Sequence, residues 1–154
     1  MAERVRDYPR PPRVEPVAKR VRVVFNGVTI ADTARAQRVL ETFGAPVFYL
    51  PLADVRTDLL TETARNTVCE WKGSASYYTL RVGDRTAENA GWAYHDPNPG
   101  YEVLRDHIAF YCASMDACFV GEERARPQPG CFYGGWITDG VVGPFKGEPG
   151  TEDW

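Results

Sequence analysis

The sequence predicts an all-β domain, mainly antiparallel, with one or two short helical turns. Three observations point there. Short β-branched or alternating runs recur along the chain, each closed by Gly, Pro or an Asn-Gly or Gly-Asp pair. Ten-residue helical patterns alternating with strands, which a doubly wound sheet needs, are missing. A chain of 154 residues with 44% hydrophobic content suits one domain with a substantial core.

The elements follow in order. Residues 1–19 carry Pro9, Pro11, Pro12 and Pro16 among many arginines and predict an extended basic arm, not a packed element. Val21–Phe25 is a β-branched strand, Asn26-Gly27 a hairpin turn, and Val28–Ile30 the return. Ala34–Thr42 satisfies helix and strand periods alike, too briefly to decide. Pro46–Leu50 is a strand closed by Pro51. Asp54–Thr63 has helical spacing at Val55, Leu59 and Leu60, which suits one or two turns. Asn66–Gly73 contains a turn. Ser76–Val82 and Thr86–Tyr94 form a hairpin about Gly83-Asp84, and residues 95–100 (HDPNPG) a loop. His107–Cys112 and Ala117–Val120 read as a final buried pair. Residues 20–123 thus form the core domain. Residues 124–154 are a Gly-rich extension whose Phe132, Tyr133, Trp136, Phe145 and Trp154 predict packing against the body, since each large apolar side chain gains ~1.5–3 kcal/mol when buried.

Charge and cysteines exclude several classes. The net charge is −3, but residues 1–22 hold seven bases and three acids, so the remainder is −7. An acidic body with no broad basic face makes nucleic acid an unexpected main partner. Apolar runs fall short of the ~20 residues of a membrane helix, and MAERVRDYPRPPRVEP has no secretory h-region, so a cytoplasmic protein without a membrane partner is expected. Cys69, Cys112, Cys118 and Cys131 make no C-x-x-C pair, and His95 and His107 lie twelve apart, so no metal site is expected and the thiols are expected free.

Two constellations can carry chemistry. The first is Thr67, Cys69, Trp71, Lys72 and Gly73. An ammonium three residues from a thiol favours the thiolate, which gives Cys69 and Lys72 tentative catalytic roles. The competing reading is a small buried hydrophobe beside a solvated lysine. The second is Trp92, Tyr94, His95 and Pro97. Trp92 and Tyr94 share a strand face and can floor a pocket, with Thr67 and His95 as further ligand-binding candidates. Ordinary core with a hydroxyl at its rim is the alternative. The tail motif CFYGGWITDGVVGPFKG lacks a phosphate-loop pattern and reads as a structural lid or a pocket wall. No G-x-S-x-G or G-x-G-x-x-G is present, and Asp54 with Asp58 is a weak carboxylate pair.

The segments NGVTIADTARAQRVLE, PVFYLPLADV, TVCEWKGSASYYTL, AGWAYHDP and HIAFYC, in this order over roughly Val21–Glu122, resemble the family called domain of unknown function 427, which carries a nucleotidyltransferase label. The tail resembles the extension found in many of its members. The resemblance implies a β-tent-like antiparallel fold, here without zinc knuckles. The family's Cys-Lys-Gly motif falls on Cys69, Lys72 and Gly73; the proline and aromatic that commonly follow the cysteine are Glu70 and Trp71 here, so the proline is lost. The aromatic-and-proline motif falls on Trp92, Tyr94 and Pro97. No reaction or cofactor follows from the resemblance. The leading expectation is a small-molecule pocket near Cys69/Lys72 and Trp92/Tyr94. A non-catalytic binding or protein-interaction module and a nucleotidyltransferase are the alternatives. An open sheet edge is compatible with a homodimer.

Overall fold

The computed structural model describes residues 2–130 and 132–151, so Cys131 and Trp154 lie outside the described residues. The first half of the chain forms β1 (Glu3–Arg4), β2 (Arg13–Pro16), β3 (Val21–Phe25), β4 (Val28–Thr33), β5 (Gln37–Leu40), β6 (Val47–Pro51) and β7 (Leu60–Cys69). The second forms β8 (Gly73–Val82), β9 (Arg85–Ala93), β10 (His107–Phe110), β11 (Ala117–Val120), β12 (Glu123–Arg124), β13 (Arg126–Pro127), β14 (Trp136–Ile137) and β15 (Val141–Val142). Helical structure among the described residues is confined to single 3-10 turns. The protein is therefore all-β, and its pairing is antiparallel except between β1 and β15.

Two sheets carry the architecture. The larger has the order β2-β5-β6-β10-β9-β8-β7, and the smaller β12-β11-β3-β4. The β3–β4 hairpin turns where the sequence asks for it. Asn26 and Gly27 both have positive φ (49° and 77°), the geometry of the primed turns that suit strand twist. Alternation then sets the faces. In β3, Val21, Val23 and Phe25 are buried while Arg22 and Val24 are less so. They join Phe48, Leu50, Leu80, Ile108 and Phe110 of the larger sheet in the main core.

The larger sheet is also covered on its other face. Phe48 and Leu50 point into the main core, so Tyr49 between them points away. Tyr77, Trp92, Tyr94 and Ala109 form a second buried cluster with Tyr49. This outer face gathers Tyr49, Tyr77, Trp92, Tyr94 and Tyr101 into one aromatic cluster.

Several elements differ from the sequence expectation. The expected extended arm is packed over its described residues: β2 pairs with β5, and Val5 is fully buried with Leu40, Val141 and Phe145. The segment is held by charge as well. Arg38 on β5 donates to Glu3 at 3.0 and 3.1 Å and to Glu15 at 2.7 Å, and Tyr8 donates to Glu3 at 2.6 Å. Asp54–Thr63, expected to hold one or two helical turns, does so only in its first part. Two 3-10 turns, Leu52–Asp54 and Thr57–Leu59, lead into β7. The apolar side chains of Val55, Leu59 and Leu60 pack against the main core without a helix, and Thr61 and Thr63 favour a strand. Asp54 is bound to Thr33 and Arg35, and Asp58 to Arg56, so the two carboxylates do not share a site. Residues 37–40 resolve as strand. Finally, β10 and β11 do not pair with each other: β10 lies between β6 and β9, and β11 between β12 and β3.

The Arg38 hydrogen bonds hold the Glu3 carboxyl below its ordinary value of 4.5, against a smaller opposing effect of burial. A depressed carboxyl stabilises the fold at pH values above its unfolded value, and that stability is lost as pH falls through the folded one. Glu3→Gln is expected to be less stable than wild type at pH 7 and to converge with it in acid. Urea titrations at both pH values measure this; a constant difference would show that Glu3 is not the titrating anchor.

Candidate functional site

A cavity of about 330 Å³ opens on the outer face of the larger sheet. Its floor follows from strand register. Tyr77 on β8 pairs with Trp92 on β9, and Trp92 pairs with Ala109 on β10. The small Ala109 leaves room for Trp92 Nε1 to donate to the Tyr49 hydroxyl at 3.2 Å, with the two rings edge-to-face. Tyr111 packs on Trp92 at 4.6 Å between ring centroids. Burial pushes the Tyr49 and Tyr94 phenols up, so both remain neutral hydroxyls at ordinary pH.

The polar pole sits at the β7–β8 turn, residues 70–72. Lys72 Nζ donates to Cys69 Sγ at 3.2 Å and lies 5.8 Å from the centre of the Tyr94 ring. Lys72 is only 8% exposed, and among the described residues no carboxylate pairs with it. Thr67 Oγ1 and the Tyr77 hydroxyl lie 3.0 Å apart beside it. The loop at residues 95–100 clamps the turn. Asn98 N donates to the Lys72 carbonyl at 2.9 Å and Asn98 Nδ2 to the Trp71 carbonyl at 3.3 Å. Gly73 has φ +115°, and a Cβ there would stand 3.3 Å from Asn98 Oδ1, so both backbone conformation and close approach call for glycine.

The roof comes from the tail. Gly134 lies flat on the Trp92 indole, where an added Cβ would meet Cη2 at 2.1 Å. Gln128 fixes this strap through both ends of its amide: Oε1 accepts from Ala45 N at 2.9 Å, and Nε2 donates to the Lys146 carbonyl at 3.0 Å. Tyr111 donates its hydroxyl to the Phe132 carbonyl at 3.2 Å, tying strap to floor.

Of the residues singled out from sequence, Thr67, Cys69, Lys72, Trp92 and Tyr94 line this one cavity. His95 does not. It is exposed, and its Nε2 is hydrogen-bonded to the Tyr78 hydroxyl, which belongs to the opposite side of β8 from Tyr77. Sequence reasoning missed Tyr49, Tyr77, Tyr111, Gln128 and Lys146. The available signal was strand parity: a tyrosine between two core residues, as in Phe48-Tyr49-Leu50, must face the other side. Among the described residues no three His, Cys, Asp or Glu side chains converge as metal ligands, and Glu41 is the carboxylate at the cavity wall.

The arrangement can hold an anion at Lys72 while an apolar body lies against Trp92 and the tyrosines. No curated protein matches the chain. Residues 13–121 match the family described as domain of unknown function (DUF427), which carries an NTP-transferase label. That span runs from β2 to the end of β11 and contains the floor and the polar pole, while the roof lies beyond it. The chain belongs to the DUF427 family.

Proposed function

We propose that this protein binds a small organic anion with a planar apolar body in the outer-face cavity. Lys72 receives the carboxylate or phosphate, and Trp92, Tyr49, Tyr77 and Tyr94 enclose the rest. One observation carries the reading: a buried ammonium, without a carboxylate partner among the described residues, faces an aromatic cavity. A buried charge is costly without a counter-charge, so the site favours a ligand that brings one. This differs from a nucleotidyl-transfer site, which leans on several carboxylates holding metal at the phosphates.

The test is calorimetric titration with 2-naphthoate, its uncharged amide, and 2-naphthyl phosphate. A charge-assisted hydrogen bond contributes about 1.5–3 kcal/mol, roughly ten- to a hundredfold in Kd. The anions are expected to bind tighter than the amide by that factor, and Lys72→Met to abolish the difference. Equal binding of acid and amide to the wild type, or no binding of either, would sink the reading.

The contact of Lys72 Nζ with Cys69 Sγ favours a second reading, in which Cys69 attacks an electrophilic carbon of the bound ligand. Cys69→Ser separates the two, because binding survives under the first and turnover disappears under the second. A cytoplasmic, reducing location fits both, since it keeps Cys69 a thiol. The larger sheet ends in two edge strands, β2 and β7, and the ten-residue β7 is the longer edge for a second copy to pair with.

A further inference from the structure

We propose that Cys69 and Lys72 form a reversible covalent cross-link on oxidation by a hydroperoxide, and that this link switches off the anion pole of the cavity. Three features of the site carry the idea. Cys69 is half-buried and lines the cavity, so a small oxidant reaches it. Lys72 is more than nine-tenths buried and directs its ammonium at that sulfur from 3.2 Å. The turn between them is held by Asn98 through two hydrogen bonds, so the pair is already in place before any chemistry.

The chemistry closes with one oxidant. The Cys69 sulfur attacks hydrogen peroxide, the O–O bond breaks, and a sulfenic acid and one water result. Lys72 first releases one proton to solvent; its neutral Nζ then attacks the sulfur, an S–N bond forms, and the S–O bond breaks. The oxygen leaves as a second water, carrying a proton from the attacking nitrogen. Sulfur is oxidised by two electrons and peroxide is reduced by two. Sulfenic acids are known to condense with a nearby nitrogen in this way. A thiol reductant reverses the link, returning the thiol and the amine. The linked nitrogen no longer carries the ammonium charge, so the cavity loses its attraction for an anion. This last consequence rests on the anion-binding reading above; the cross-link itself does not.

Tryptic mapping of the full chain reads the link directly. Trypsin cuts after Arg65, Lys72 and Arg81, so the reduced protein gives peptides 66–72 and 73–81. A linked Lys72 resists cleavage. Peroxide-treated protein is therefore expected to lose these two peptides and to give peptide 66–81, lighter by two hydrogens than the reduced sequence. Dithiothreitol added before digestion restores the pair. Cys69→Ser and Lys72→Arg are both expected to lack the light 66–81 peptide, and circular dichroism of each confirms that it is folded. Oxygen gained on Cys69 while trypsin still cuts after Lys72 overturns the proposal, as does a light 66–81 peptide that persists in Cys69→Ser. Binding of 2-naphthoate to the oxidised sample is measured in parallel. If the peptide result holds but naphthoate never binds the reduced protein, the cross-link stands and the ligand reading falls.

Discussion

Trp136→Ala is expected to cost about 3–5 kcal/mol of folding stability, the range for truncating a large buried aromatic. Trp136 is fully buried and packs on Phe48 with ring centroids 5.1 Å apart. Its Nε1 donates to the Phe110 carbonyl at 3.0 Å, and its backbone N to the Pro46 carbonyl at 2.9 Å. The substitution opens a void in the main core and leaves the Phe110 carbonyl without its donor, which alone costs about 1–3 kcal/mol when buried. Domains of this size are stable by only about 5–15 kcal/mol, so a large part of the margin disappears. Trp136→Phe keeps most of the packing and loses the N–H, and should fall between the two. The urea midpoint measures the series. An alanine variant that unfolds at the wild-type midpoint would mean that the tail does not hold the core in this way.

Gly134→Ala is the second large effect, and it acts on the cavity. The glycine has no unusual φ, so alanine fits its backbone; the conflict is steric. The new methyl would fall 2.1 Å from Trp92 Cη2 and 2.8 Å from Cζ2. The indole has little room to retreat, because Tyr49, Tyr77 and Tyr111 pack around it. The strap must lift instead. Overpacking of this kind costs about 1–3 kcal/mol. The lifted strap also uncovers the aromatic floor, so tryptophan emission should move to longer wavelength and 2-naphthoate affinity should drop by roughly tenfold or more. Gly140→Ala is the control, since its Cβ would meet only Thr138 Oγ1 at 3.8 Å and should leave both readouts near wild type. An unchanged Gly134→Ala would show that the strap does not rest on Trp92.

Local patterns made much of the fold legible. Val21–Phe25 with Asn26-Gly27 specifies a hairpin by chemistry that acts within a few residues, and the alternation in Ser76–Val82 does the same. What stayed hidden depends on contacts distant in sequence. Arg13–Pro16 looks like linker because it ends on Pro16 and follows Pro9, Pro11 and Pro12, yet it becomes an edge strand, where a missing N–H is tolerated. Val55 and Leu59 have a helical interval, but they meet the core around a 3-10 turn that leads into a strand. The site divides similarly. Cys69 and Lys72 were visible because they are three apart across one turn. Tyr111 and Gln128 reach the same cavity from beyond the end of β10 and from the tail, and their own neighbours in sequence do not announce it. His95 shows the reverse error: one residue beyond Tyr94, it falls on the other side of the sheet.

The cavity is assembled from two stretches of chain with different obligations. Its charged pole and aromatic floor are built into strands that also form the main core, so substitutions there put folding at risk. Residues 132–133 of the strap carry fewer such duties: Phe132 and Tyr133 are exposed, while Gln128, Gly134, Gly135 and the Tyr111 hydroxyl tie the strap to the body. If the cavity binds an anion as proposed, a chain that kept the floor and exchanged residues 132–133 would keep that charge requirement while accepting a ligand of another outline. The scaffold thus places the charged pole and the exposed part of the roof on separate stretches of chain.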